Sequence, residues 1–301
     1  MENIGSTVHL EQMVGGAYSL YAAHMVERLG GVHIFVADDR DSAAYLVNDL
    51  YELLDEEHVG FFASGYKRSA AYGAEDAQGI VRRTAALNAI KNFKRGYLVI
   101  CTYPEALAES VADEERLAEQ SLHLAVGDTM QQASLVEWLS THNFTRVDFV
   151  YEPGQYSVRG GLVDIFSYVE SKPYRVDFFG DVIDSLRRFD ISSQLSAERP
   201  DEVDIIPNML SDSGAAKRVS LATFAAEATW WMADGDHILR KIADIRKKVL
   251  ETAESEEDAE RLAQRVTSRQ RLLEELKGQT LVLRRNDIRE REATHTVTFN
   301  T

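Results

Sequence analysis

From Pro173 onward polar and apolar positions alternate. Tyr174, Val176 and Phe178 fall on one face of an extended chain, and Arg175, Asp177 and Phe179 on the other. Gly180-Asp181 separates this run from a second strand-like run, which predicts a tight hairpin of the II′ kind. Upstream, Tyr156 to Phe166 is also rich in strand formers and is interrupted by Arg159-Gly160-Gly161, where a glycine pair predicts a bulge or a close backbone approach. The stretch 151–193 therefore reads as a small antiparallel sheet. The pattern leaves two roles open for its outer face. Phe179 is either core on a two-sided sheet, with Arg175 paired to Asp177 or Asp184, or an exposed ring beside a cation, residue types enriched at binding hot spots.

The first 115 or so residues follow a different rhythm. Helical spacing covers Ser19–Leu29, Ala43–Leu54 and Ala77–Phe93. Apolar runs at Val32–Val36, Val59–Ala63 and Tyr97–Thr102 read as buried strands between them. Alternation of this kind predicts a mostly parallel sheet with helices on its faces. A boundary is expected near Asp113-Glu114-Glu115. Beyond it come a strand and turn at 122–128, a helix over 131–142 and a strand over 146–151. After Ile205-Ile206-Pro207 the spacing turns helical, over Ala222–Met232 and then His237–Leu276, whose acidic middle, Glu251–Glu260, either breaks or stands in solvent. Thr280–Leu283 and Thr294–Thr301 read as strands completing the first sheet.

Composition narrows the chemistry. The 301 residues carry 33 Lys and Arg against 49 Asp and Glu, a net charge of −16. Nucleic-acid affinity comes mainly from cations at phosphates, so this balance argues against tight autonomous DNA binding and suits a protein-binding module. One cysteine, Cys101, lies in an apolar run and is expected to be buried and inert in a reducing compartment. With no leader-like or membrane-spanning apolar run, a cytoplasmic location is expected. The eight histidines show no metal-ligand spacing, no Cys pair suggests zinc, and no nucleophile–base grouping is evident. Asp55-Glu56-Glu57-His58 spells a helicase-like box, yet helical spacing precedes it where such a box must end a buried strand, so it reads as a solvated turn.

Over nearly its whole length, and most specifically from 145 to 207, the chain resembles the family of the bacterial transcription-repair coupling factor, Mfd, and more distantly the excision-repair helicase subunit UvrB. The resemblance is carried by Glu152, Gly154, Tyr156, Arg159, Gly160, Asp164 and Phe166, then by Pro173, Tyr174, Arg175, Phe178, Phe179, Asp181, Ile183, Asp184, Ser185, Arg187, Phe189 and Asp190. It implies a docking domain for the damage sensor UvrA, with Arg159, Arg175 and Phe179 as the partner-binding residues: an apolar anchor flanked by two guanidiniums that pair with acids on the partner. Aligned to the family, Ala17-Tyr18-Ser19 falls on the Gly-Lys-Ser/Thr of a phosphate loop and Gln12 on its first glycine, so Gly15, Gly16, Ala17, Tyr18 and Ser19 form a degenerate nucleotide loop. Tyr18 cannot supply the cation such a loop needs. The stretch 65–78, with Tyr66, Lys67, Arg68 and Tyr72, is too short for the DNA-clamping hairpin of UvrB.

The resemblance therefore implies an α/β fold: a degenerate P-loop, RecA- or helicase-like parallel-sheet domain (1–117, domain 1a) interrupted by a smaller α+β antiparallel domain (118–206, domain 2) and completed by 207–301 (domain 1b). The chain would be the N-terminal, UvrB-like piece of a longer ATP-driven DNA translocase. The piece itself would be a non-enzymatic adaptor without cofactor or metal, binding UvrA to recruit repair to stalled RNA polymerase. In the intact protein a C-terminal domain would mask the UvrA surface, and polymerase would bind elsewhere. The alternative is a UvrB-like, ATP-dependent, damage-binding helicase fragment.

Overall fold

The computed structural model describes residues 7–11, 13, 16–67, 75–112, 121–170, 172–208, 218–232, 234–283 and 295–298. It divides into two compact units, Met1–Asp113 with Lys217–Thr301, and Glu114–Ala216, so the second is inserted in the sequence of the first. Before the insertion lie strands β1 (Thr7–Glu11), β2 (Gly31–Val36), β3 (Val59–Phe61), β4 (Tyr97–Thr102) and β5 (Val111–Ala112). Within it lie β6 (Leu122–Ala125), β7 (Thr145–Arg146), β8 (Gln155–Arg159), β9 (Leu162–Ile165), β10 (Tyr174–Phe179), β11 (Val182–Phe189), β12 (Ser196–Glu198) and β13 (Glu202–Ile205). After it come β14 (Arg218–Val219), β15 (Thr229–Met232), β16 (Thr280–Leu283) and β17 (His295–Thr298).

The outer unit is built on a seven-stranded sheet of order β17-β1-β16-β15-β2-β4-β3, parallel at every pairing. Consecutive buried residues, Ile34–Val36 in β2 and Leu98–Thr102 in β4, reflect strands covered on both faces. The helices Ala17–Leu29, Arg40–Tyr51 and Ala77–Asn92 join successive strands, near the ranges the periodicity predicts. Asp39 caps the second by accepting from the Ser42 N–H. Gly30 ends the first: its φ is 63°, and its N–H donates to the Val26 carbonyl.

Two expectations fail here. Ala222–Met232 is not a helix: only Leu221–Phe224 is helical, and Thr229–Met232 is a central strand between β2 and β16. Trp230 and Trp231 are both buried. The Trp231 ring stacks on Phe35 with centroids 4.9 Å apart, and its Nε1–H donates to His33 Nδ1 at 3.1 Å. Neighbouring rings buried on opposite faces erase the alternation that marks a one-sided strand. His237–Leu276 is likewise not continuous. It divides into Gly235–Leu250, Glu256–Arg265 and Arg269–Glu275, with Ser255 and Ser268 capping the second and third. The acidic middle thus contains a break at 251–255, as one of its two readings had it.

The inserted unit carries a six-stranded sheet of order β12-β11-β10-β9-β8-β7, antiparallel except where β7 meets β8. The helix Gln132–Thr141 buries Leu135 and Leu139. The strand expected over Arg146–Tyr151 shrinks to Thr145–Arg146, because Val150 instead packs with Phe166 and Phe189 in a small separate core. Gly160-Gly161 is not a bulge but the two-residue turn between β8 and β9. Gly160 adopts φ 60°, and a Cβ on Gly161 would come within 3.0 Å of the Phe178 carbonyl oxygen.

Candidate functional site

Register sorts the inserted sheet into two faces. Tyr156, Ile165 and Tyr174 form one cross-strand row, and Val158, Val163, Val176 and Leu186 another on the same face. That face is largely buried. Rows of opposite direction alternate with these: Ser157, Asp164, Arg175 and Arg187, then Arg159, Leu162, Asp177 and Ser185. Arg159, Arg175 and Phe179 therefore share the second face. The alternation holds along β10 because the irregularity after Asp177 is taken up on β11, where Asp184 is the extra residue.

Phe179 is 82% exposed. It faces Val182 across the Gly180-Asp181 turn, itself exposed, so an apolar pair crowns the hairpin. Gly180 has φ 63°, as a II′ turn requires at its first position. The ring stands four residues along the strand from Arg175, about 13 Å at the usual rise per residue.

The guanidiniums are arranged differently from the expectation. Neither Asp177 nor Asp184 takes Arg175. Both arginines converge on Asp164, whose side chain is 2% exposed. Arg175 grips it with two bonds, Nε to Oδ1 at 2.6 Å and Nη2 to Oδ2 at 2.9 Å. Arg159 donates through Nη2 to the same Oδ2. Asp177 pairs instead with Arg187 at 3.2 Å. Hydrogen bonding to Asp164 raises the Arg175 pKa further above its ordinary value. The Arg175 guanidinium lies over the Phe189 ring at 4.4 Å, and its Nη2 also donates to Gln194 Oε1 at 3.1 Å. Arg159 lies over the half-exposed Phe149 ring at 4.9 Å. Among the described residues, Arg175 Nη1 and Arg159 Nε and Nη1 make no hydrogen bond. The cluster keeps one net positive charge and a set of unused donors.

Asp164, Phe149 and Gln194 were not singled out as site residues. Leu162-Val163-Asp164-Ile165-Phe166 places one carboxylate in an apolar strand, and a lone charge there needs a counter-charge. That signal was available. Gln194 had none: it reaches Arg175 because the turn after β11 is closed by Asp190, whose carboxylate accepts from the Ser193 N–H and from the Ser192 and Ser193 hydroxyls. Those bonds hold the Asp190 pKa down at about 2.

The nucleotide-loop positions lie in the outer unit. Gly15 and Gln12 fall outside the described residues. Gly16 precedes the first helix and Ala17 opens it. Tyr18 is buried, edge-on to Phe35 at 6.4 Å. Ser19 is buried and donates its hydroxyl to Asp49 at 2.7 Å. Glu56–His58 is a short 3₁₀ turn after a helix, not the end of a strand. Arg68 and Tyr72 lie outside the described residues. Among the described residues no three His, Cys, Asp or Glu side chains group as metal ligands, and no helix is long and apolar enough to cross a membrane.

Residues 122–210 match the family model described as the UvrB interaction domain. Among curated proteins, the transcription-repair-coupling factor of Escherichia coli K12 is 28% identical over 199 residues, 66% of this chain and 17% of that protein. Its namesake in Myxococcus xanthus is 31% identical over 155 residues, 50% of this chain and 13% of that protein. The one from Staphylococcus aureus USA300 is 25% identical over 172 residues, 57% and 14% respectively. The matched stretches thus span only 13–17% of the length of these relatives. The face built on β8 to β11 lies inside the matched stretch: residues 122–210 are similar to the UvrB interaction domain, in a chain similar over 66% of its length to the Escherichia coli transcription-repair-coupling factor.

Proposed function

We propose that this chain is a non-catalytic adaptor module of transcription-coupled nucleotide excision repair. It docks UvrA through Arg159, Arg175 and Phe179 and so recruits repair to a stalled RNA polymerase. The observation that carries this is an aromatic ring 82% exposed on the same sheet face as a paired arginine cluster with unused donors. A large exposed ring beside directed cations is the composition of a hot spot. The matched family and the names of the relatives supply the partner class. In this reading domain 2 (118–206) does the docking, and domains 1a (1–117) and 1b (207–301) form the scaffold. An intact protein would add polymerase binding and a C-terminal segment masking the docking face.

In the same reading the loop at 15–19 has lost its nucleotide. Tyr18 supplies bulk rather than a cation, and the Ser19 hydroxyl is committed to Asp49. Phe179→Ala is the direct test. Exposed as the ring is, its removal leaves stability within about 0.5 kcal/mol. It costs about 2–4 kcal/mol of UvrA affinity, tens to a thousandfold. Unchanged affinity in a titration of the 301-residue chain with UvrA rejects the reading. Calorimetric ATP binding would favour the helicase-fragment alternative.

A further inference from the structure

We propose that Asp164 is the positioning residue of this docking face, turning two flexible guanidiniums into one directed cationic fork with a single unit of net charge. The inference rests on the reading of the face as a UvrA-binding surface. Asp164 sits on β9, between the strands that carry the two arginines, and its side chain is 2% exposed. It cannot meet a partner itself. Among the described residues its hydrogen-bond partners are Arg159 and Arg175, although the Ser157 hydroxyl opposite it is buried without a hydrogen bond.

The bidentate grip consumes the Nε/Nη2 edge of Arg175 and leaves its Nη1 edge unused. Phe189 below and Gln194 beside it restrict the remaining rotation. The side-chain entropy that an arginine normally loses on docking is then lost on folding instead, so the fork meets its partner pre-organised. Two cations held by one anion also revise the picture of two arginines each seeking an acid. The fork offers one net charge, and the chemistry that matches it is a single partner carboxylate set about 13 Å along the strand direction from a pocket for Phe179.

The test uses the 301-residue chain and UvrA. Asp164→Asn keeps the side-chain shape, removes the charge and loosens both arginines. The expected result is a roughly tenfold loss of UvrA affinity, the scale of one charge-assisted bond. It should come with loss of the slowly exchanging Arg175 Nε–H signal in nitrogen-15 NMR, while backbone signals elsewhere stay in place. A merely structural Asp164 would alter stability without changing the affinity of the folded fraction. Arg175→Lys is the second variant. It keeps the charge but not the fork, and the same loss is expected, so the idea remains testable if Asp164→Asn fails to fold. Wild-type affinity in either folded variant overturns the proposal. Wild-type affinity in Phe179→Ala, run alongside, overturns the docking reading beneath it.

Discussion

Removing Arg175 does more than delete the proposed docking group; it strips a buried carboxylate of its principal counter-charge. Asp164 is 2% exposed and Arg175 16%, and their two bonds are 2.6 and 2.9 Å long. Breaking a buried pair from one side costs about 3–5 kcal/mol, because the remaining charge stays desolvated. Arg159 still reaches Oδ2, so Arg175→Ala belongs near the low end, about 3 kcal/mol. Asp164→Asn alone leaves two cations, one of them 36% exposed, and is expected to cost about 2 kcal/mol. The double variant carries no buried charge and should also cost about 2 kcal/mol. The singles sum to about 5, so the coupling is about 3 kcal/mol, far above the roughly 0.5 kcal/mol within which independent sites add. Hydrogen exchange over residues 155–189 measures it where it acts. Additive costs, or a double variant less stable than Arg175→Ala, would refute the buried-charge account. A practical corollary is that affinity lost in Arg175→Ala mixes docking with distortion, whereas Phe179→Ala does not.

Three further outcomes follow from the outer unit and the rim of the inserted one. Burial lowers the His33 pKa from 6.5 to about 4, so between those values the unfolded chain takes up a proton that the folded chain refuses. Stability is therefore full above pH 6.5 and falls by up to about 3 kcal/mol as pH drops to 4; urea titrations of His33→Gln should show a flatter pH dependence, and identical slopes would dismiss the claim. Gly154 has φ 84°, and a Cβ there would run into the Tyr168 hydroxyl, whereas Gly127 has φ 93° with open space around it. Gly154→Ala should cost about 3 kcal/mol and Gly127→Ala about 1, read from melting temperatures; equal losses would mean the contact is not felt. Cys101 is fully buried and burial pushes its thiol pKa up, so a maleimide should label it only in denaturant; rapid labelling of the native chain would contradict this.

The hairpin over 174–189 was legible because it obeys local rules: strict alternation, a Gly-Asp turn and a single buried face. So were the parallel strands β2 and β4, whose apolar runs are bounded by helical spacing. Other features depend on distant partners. Thr7–Glu11 is too short and mixed to announce itself, and becomes β1 because β16 and β17 flank it. Trp230-Trp231 resembles a helix face until pairing with β2 and β16 makes the segment a central strand with both rings buried. At the docking face, periodicity predicted that Arg175 and Phe179 share a side. It could not predict that Asp164 would outcompete Asp177 for Arg175, because that choice is made by cross-strand register, and the hairpin between β8 and β9 sets the register.

The strand order of the outer sheet dictates a timetable for synthesis. β1 is made before the other strands of this sheet, yet its two neighbours, β16 and β17, follow the insertion, and β2 can pair with β4 but lacks β15 until the insertion is made. The inserted sheet meets no such delay: every pairing from β6 to β13 is available once Ile205 has emerged. The inserted unit can thus be finished while the outer unit is still half-translated, the reverse of the usual amino-terminal-first order. A chain ended between Asn208 and Arg218 and released from the ribosome would already hold every strand of that sheet, Phe179 included.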